Sequence, residues 1–197
     1  FYKAGFAVKD VHLSDLIEGR ESLEDVSMLA FAGGFSNSDV LGSAKGWAAG
    51  ILYNEKARRA IEDFYKRENT LSMGVCNGCQ LMSELGVLSA DGRPTHHMRP
   101  NHSGKFESCF VNLTIPETNS VMFSSLVGST LGVWCAHGEG RFEFDNPLDT
   151  YHVAARYTHN EYPYNPNGSP EGIAALTSAD GRHLAIMPHP ERSIYPQ

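Results

Sequence analysis

The chain has few cysteines, no excess of positive charge and no long apolar run, and each shortage removes a class of function. Four cysteines occur among 197 residues, at positions 76, 79, 109 and 135. Their spacing forms no disulfide framework, and no signal peptide is visible, so a reducing, cytoplasmic setting is expected. Sixteen basic residues face 23 acidic ones, a net charge of −7. That balance argues against nucleic acid or an anionic membrane surface as the main partner. No stretch approaches the ~20 apolar residues that span a bilayer. No Gly-x-x-x-x-Gly-Lys-Ser/Thr loop is present to cradle a nucleotide phosphate. What is left is ordinary composition, 41% hydrophobic and 20% charged, at a length that buries a full core as one domain over residues 1–197.

The most informative stretch is Gly74-Val75-Cys76-Asn77-Gly78-Cys79-Gln80-Leu81. Residues 70–75 read as the end of a buried strand, and residues 78–85 have helical spacing, with Leu81, Met82 and Leu85 toward one side. Cys76 therefore falls at a strand-to-helix turn. Such a turn exposes the side chain and aims backbone N–H groups and a helix N-terminus at whatever approaches it. Those features suit a nucleophile. An unaccompanied cysteine is more often a small core residue. The far end of the chain changes that balance. There Met187-Pro188-His189-Pro190-Glu191-Arg192 ends an apolar strand, and His189 and Glu191, two residues apart in an extended chain held by prolines, project to one side. Glu191 can orient the imidazole while His189 takes the thiol proton.

The rest of the chain alternates strand and helix in its first half. Residues 1–6 read as a last helical turn ending at Gly5, residues 6–11 as a short strand, and Ser14 as the cap of a helical turn. Val26 to Ala32 has the continuous apolar pattern of a parallel strand covered on both faces, ending in Gly33-Gly34. Helices are expected over Val40 to Ile51 and Asn54 to Lys66. Residues 89–104, with His96, His97 and His102, read as a surface loop; a zinc site with Cys76 and Cys79 lacks the usual second cysteine pair, so no metal is expected. Short strands follow over 106–113, 131–136, 152–157, 172–177 and 183–187, with Asp180-Gly181 as a hairpin turn. The pattern is α/β: a mostly parallel sheet flanked by helices, with an antiparallel edge and its site at the carboxyl ends of strands.

Together with Ala32-Gly33-Gly34-Phe35-Ser36, Cys135-Ala136-His137-Gly138-Glu139-Gly140-Arg141 and residues 162–170, these two motifs resemble the triad-type (class I) glutamine amidotransferases. Within them the chain is similar to the glutaminase domains of phosphoribosylformylglycinamidine synthases. The resemblance implies a flavodoxin-like amidotransferase fold, cut at both ends and forming the C-terminal part of a longer synthase. It also implies that glutamine is hydrolysed through a Cys76 thioester, with His189 as base and then acid and Glu191 orienting it. Gly34 and Asn77 would supply oxyanion-hole N–H groups; Gln80 and the main chain at Gly138 and Glu139 would hold the glutamine. His137 would be structural, and Glu139 would contribute backbone and not charge. No cofactor is implied for this domain, with ATP and magnesium on a synthetase domain that is either covalently joined or a separate subunit. The family's Phe-Ser-Tyr-Gly-Asp is replaced here by Phe35-Ser36-Asn37-Ser38-Asp39. Two other classes compete: a Cys76-x-x-Cys79 redox pair, which leaves His189 and Glu191 unexplained, and a binding module that has lost catalysis, which the presence of all three triad residues disfavours.

Overall fold

The computed structural model describes residues 1–193. One side of its main sheet is built from two parallel ladders: β1 (Met28–Phe31) beside β2 (Leu71–Val75), and β2 beside β9 (His183–Ile186). Antiparallel pairing then carries the sheet outward through β8 (Ile173–Thr177), β7 (His152–Tyr157), β4 (Glu107–Thr114) and β5 (Thr130–His137). The seven-stranded order is β1-β2-β9-β8-β7-β4-β5. The expected α/β class holds, and the antiparallel part is wider than an edge. β8 and β9 are buried at every residue, and the Asp180-Gly181 turn joins them as expected.

Local sequence explains the helices. In α3 (Glu55–Lys66) the Asn54 side chain accepts the Ala57 N–H at 3.0 Å, and Glu55 and Lys66 complement the two ends of the dipole. Ala57, Ile61 and Phe64 form its buried face. α1 (Leu13–Glu18) is capped from His12, whose N–H donates to Asp15, so Ser14 lies inside the first turn and is not the cap. α2 (Lys45–Leu52) starts five residues later than the apolar pattern implies. Residues 36–39 form a 3-10 turn, and Ser43 and Ala44 take positive φ, with the Asp39 carboxylate accepting the Ala44 N–H at 2.9 Å. Three further expectations are corrected. Residues 6–10 are exposed and form no strand, because no neighbouring strand pairs with them among the described residues. β1 has one buried residue out of four, since it is the sheet's edge and is not covered on both faces. The supposed loop 89–104 contains β3 (His96–Arg99), paired with β6 (Arg141–Phe144) in a small second sheet. His96 packs there against Phe142, Phe144 and Tyr151. Among the described residues, no helix is long and apolar enough to cross a membrane.

The element that positions the site is α4 (Asn77–Glu84), which leaves β2 after the single residue Cys76 and is buried from Asn77 to Ser83. Its first turn lies so close to β1 that a Cβ on Gly78 would sit 2.0 Å from the Phe31 carbonyl oxygen. Backbone cannot move aside as a side-chain tip can. Gly78→Ala is therefore expected to cost about 1–3 kcal/mol or more. Its urea midpoint should fall at unchanged slope. An unaltered midpoint would refute this packing of α4 on β1.

Candidate active site

The parallel ladder between β2 and β9 brings the two motifs together. Val75 is opposite Ile186, and the Cys76 N–H continues the ladder by donating to the Ile186 carbonyl at 2.9 Å. The chain leaving β9 then reaches His189, whose N–H donates to the Trp134 carbonyl of β5 at 2.7 Å. Cys76 thus comes from one strand end and His189 from the adjacent one. A single point confirms their proximity: a Cβ on Gly33 would lie 2.9 Å from His189 Cε1 and 3.3 Å from Cys76 Cβ.

Cys76 has φ 53° and ψ −107°, a strained conformation for a residue with a side chain, costing about 1–3 kcal/mol. Burial pushes its thiol up to about 11; the Asn77 N–H, the Arg192 charge and the Gly34 N–H act in the opposite direction. The two backbone N–H groups expected to form an oxyanion hole therefore both point at the sulfur. Gly34 reaches that position with φ 136°, which only glycine adopts readily. In the resting site the thiol is protonated and donates to the Ala136 carbonyl at 3.7 Å.

His189 is almost wholly buried. Its Nδ1 and Glu191 Oε1 are 2.5 Å apart, whereas Nε2 is buried without a partner among the described protein groups. Burial would raise the Glu191 carboxyl, but the His189 hydrogen bond and charge, with Arg192, bring it below its ordinary value. An ionised Glu191 on Nδ1–H leaves Nε2 as the basic nitrogen. The pairing is as expected, but its route differs: residues 190–192 form a 3-10 turn and not an extended strand.

The remaining expected residues form one supporting network. Gln80 donates to the Glu139 carbonyl at 2.7 Å and accepts from Asn77 Nδ2 at 2.8 Å. Its amide is thus engaged with protein groups, and it positions Glu139. Asn77 Oδ1 in turn accepts the Ser36 N–H at 3.1 Å, tying the oxyanion turn to the loop after Gly34. The Glu139 carboxylate accepts from the Ser43 N–H and hydroxyl at 2.6 and 2.7 Å, so Glu139 contributes charge as well as backbone. Gly138 accepts the Asn101 N–H at 2.9 Å. His137 is buried, which lowers it to about 3, and its Nε2 lies 3.2 Å from Asn167 Nδ2. A neutral, bonded His137 matches the structural role expected for it.

Sequence reasoning missed Asn101, whose side chain spans the Gly140 N–H and the His137 and Lys105 carbonyls and so clamps residues 137–140. A lone Asn in a polar stretch carries no signature. Asn167 lay within a motif already singled out, but nothing there pointed to its partners. The redox alternative fares poorly: Cys79 is fully buried on α4, and burial holds its thiol well above the ordinary value. Among the described residues, no cluster of three or more His, Cys, Asp or Glu is placed to hold a metal.

Residues 1–197 match the model of the CobB/CobQ-like glutamine amidotransferase domain. The chain belongs to this amidotransferase family. It is 48% identical over 210 aligned residues to the probable phosphoribosylformylglycinamidine synthase, chloroplastic/mitochondrial, of Arabidopsis thaliana, covering 98% of this chain and 15% of that protein. It is 41% identical to the phosphoribosylformylglycinamidine synthase of Homo sapiens, covering all of this chain and 17% of that one. The amidotransferase domain thus spans about one sixth of these relatives or less. A solved structure of PurLQS from Thermotoga maritima superposes with a TM-score of 0.73 at 30% identity, over 89% of this chain and 74% of that one.

The crowding at Gly33 gives a test that does not depend on any assumed substrate. Gly33→Ala places a methyl group against both the Cys76 β-carbon and the His189 ring. Iodoacetamide labelling of Cys76, followed by peptide mass spectrometry, is expected to slow about tenfold, since a ~1 Å misplacement can cost more than that. An unchanged rate in a folded variant would show that the two side chains are not neighbours.

Proposed function

We propose that this amidotransferase domain hydrolyses glutamine to glutamate and ammonia, and that the ammonia serves ATP-dependent synthesis of formylglycinamidine ribonucleotide in purine biosynthesis. The observation that carries the chemistry is the buried Nε2 of His189, without a partner among the described residues, beside a strained Cys76 on whose sulfur two backbone N–H groups act. His189 Nε2 takes the thiol proton as sulfur attacks the side-chain amide carbon of glutamine. The negative oxygen of the tetrahedral intermediate is held by the Gly34 and Asn77 N–H groups. Its collapse breaks the C–N bond, the His189 proton leaves with ammonia, and a glutamyl thioester remains. Water, deprotonated by His189, then releases glutamate and the free thiol. We assign the main-chain groups at Gly138 and Glu139 to the amino acid end of the substrate, by the family resemblance.

The acceptor reaction rests on the names of the relatives, and ATP and magnesium are assigned to a synthetase partner, covalently joined or separate. Free thiols throughout the described chain support a reducing compartment, for which we propose the cytoplasm; the organelle name of the Arabidopsis relative makes cell fractionation the deciding measurement. Cys76→Ala in the complete synthase is expected to lower glutamine-dependent product formation by about a thousandfold or more. Synthesis from added ammonium should persist in that variant. Equal loss of both reactions would remove the proposed division of labour.

A docked partner also explains an exposed apolar rim. Phe35 and Phe106 are 69% and 54% exposed, their rings 6.5 Å apart, and Val40 and Leu41 lie exposed on the same loop as Phe35. That loop carries Gly34, so a partner covering it can order the oxyanion hole. Steady-state glutaminase kinetics should show the isolated domain at least about tenfold slower than the complex occupied by nucleotide and acceptor. Equal rates would leave a free-standing glutaminase.

A further inference from the structure

The ladder between β4 and β5 sets Cys109 directly opposite Cys135. Opposed residues of an antiparallel pair have Cα atoms about 4.5–5.5 Å apart and side chains on one face. A disulfide needs about 4.4–6.8 Å, so this backbone can accept one without a large movement. Interaction with the Cys135 thiol holds Cys109 below the ordinary thiol range, while Cys135, by the same interaction and by burial, lies well above it. Cys109 is only half-buried, and Cys135 is fully buried. One sulfur is therefore accessible and acidic, and the other is a protonated neighbour held behind it.

β5 connects this pair to the active site. Trp134 accepts the His189 N–H, and the Ala136 carbonyl lies 3.7 Å from Cys76 Sγ, one residue to either side of Cys135. Cys135 Sγ is also 3.7 Å from the Tyr157 hydroxyl; that hydroxyl accepts from Asn167 Nδ2 at 3.0 Å, and the same Nδ2 lies against His137.

We propose that Cys109 and Cys135 form an oxidative modification site, in which a hydroperoxide converts the pair to a cross-strand disulfide and slows the chemistry at Cys76. The Cys109 thiolate attacks the peroxide oxygen and the O–O bond breaks. The departing oxygen leaves as an alcohol, or as water from hydrogen peroxide, and Cys109 becomes a sulfenic acid. The Cys135 sulfur then attacks the Cys109 sulfur; the S–S bond forms, the S–O bond breaks, and hydroxide leaves with the Cys135 proton as water. Two thiols have lost two electrons to the peroxide. The S–S bond, at about 2.0 Å, draws the sulfurs much closer than a thiol contact. It shifts the β5 backbone that holds His189 and removes the Cys135 hydrogen from the Tyr157 network.

The effect on rate rests on the glutaminase reading, whereas formation of the bond does not, and the test separates them. The complete protein bearing Cys76→Ser, in which the active thiol cannot react, is treated with hydrogen peroxide and mapped by mass spectrometry. A peptide joining residues 109 and 135 is expected, absent after Cys109→Ser and released by dithiothreitol. No such peptide would overturn the site. With Cys76 intact, the same dose should reduce glutaminase activity about tenfold more than in Cys109→Ser. Equal loss in both proteins would overturn the control of rate. Absence of glutaminase activity before oxidation would instead refute the catalytic reading and leave the cross-link result standing. Cys135→Ala replaces Cys109→Ser if the latter fails to fold.

Discussion

The hydrogen bond from the Cys76 N–H to the Ile186 carbonyl, 2.9 Å long, is the constraint on which the site depends. It is the last rung of a parallel ladder between strands more than a hundred residues apart in sequence. Parallel strands end on the same side of a sheet, so whatever follows β2 and whatever follows β9 must meet there. Cys76 and His189 are adjacent because of strand order and not because of any local motif. A slip of one residue in that ladder would turn every side chain of β9 to the other face and carry His189 away from Cys76.

Around that rung the site is divided by rigidity. One side consists of α4, the 137–140 loop and the buried residues Asn101, Asn167 and Ser169, and its polar atoms are mostly bonded to one another. The other side is the loop after β1, with exposed Phe35, Val40 and Leu41 and positive φ at Ser38, Asp39, Ser43 and Ala44. Glu139 joins the two by accepting from Ser43, and Asn77 does so by accepting from Ser36. The Asp39 carboxyl is raised by burial and by the charge of Glu139, so this junction brings two acidic groups near each other. Such a joint is well bonded yet electrostatically strained, in the loop to which the proposed reaction assigns an oxyanion N–H.

Much of this arrangement was legible in the sequence where chemistry and backbone agree. Gly74 and Gly78 around Cys76, and the prolines around His189, mark positions where the chain must turn sharply, and such constraints survive without an alignment. Asn54 announced the start of α3 for the same reason. Failures fell where tertiary context decides. The pattern at 6–11 is strand-like, but a strand exists only if a neighbour pairs with it. The apolar run from Val40 suggested helix, yet the Asp39 carboxylate and the positive φ of Ser43 and Ala44 hold a turn that propensity does not encode. β3 was hidden because its four residues include two histidines and an arginine, and His96 gains its apolar environment from distant residues, Phe142 and Phe144 on β6 and Tyr151. Gln80 was assigned to substrate through the family resemblance, and the structure adds what the sequence does not show, that its amide bonds to Asn77 and Glu139.

The thiol's electrostatics then determine which kind of catalyst this site can be. A cysteine protease holds a preformed thiolate when cationic or dipolar groups outweigh burial. Here burial is the largest influence and lifts Cys76 to about 11, while the Asn77 N–H, Arg192 and the Gly34 N–H only partly offset it. The α4 N-terminus is available to the sulfur, but the pocket is too dry for that to prevail. A protonated thiol must give up its proton, in the proposed reaction to His189, as it attacks carbon. In the proposed reaction, the two N–H groups that act weakly on the sulfur at rest would act more strongly once negative charge develops on the substrate oxygen. Stabilisation is then reserved for the transition state, and the resting nucleophile is protected from oxidants and stray electrophiles. This protection accords with the proposal that Cys109, and not Cys76, is the sulfur that meets a peroxide first.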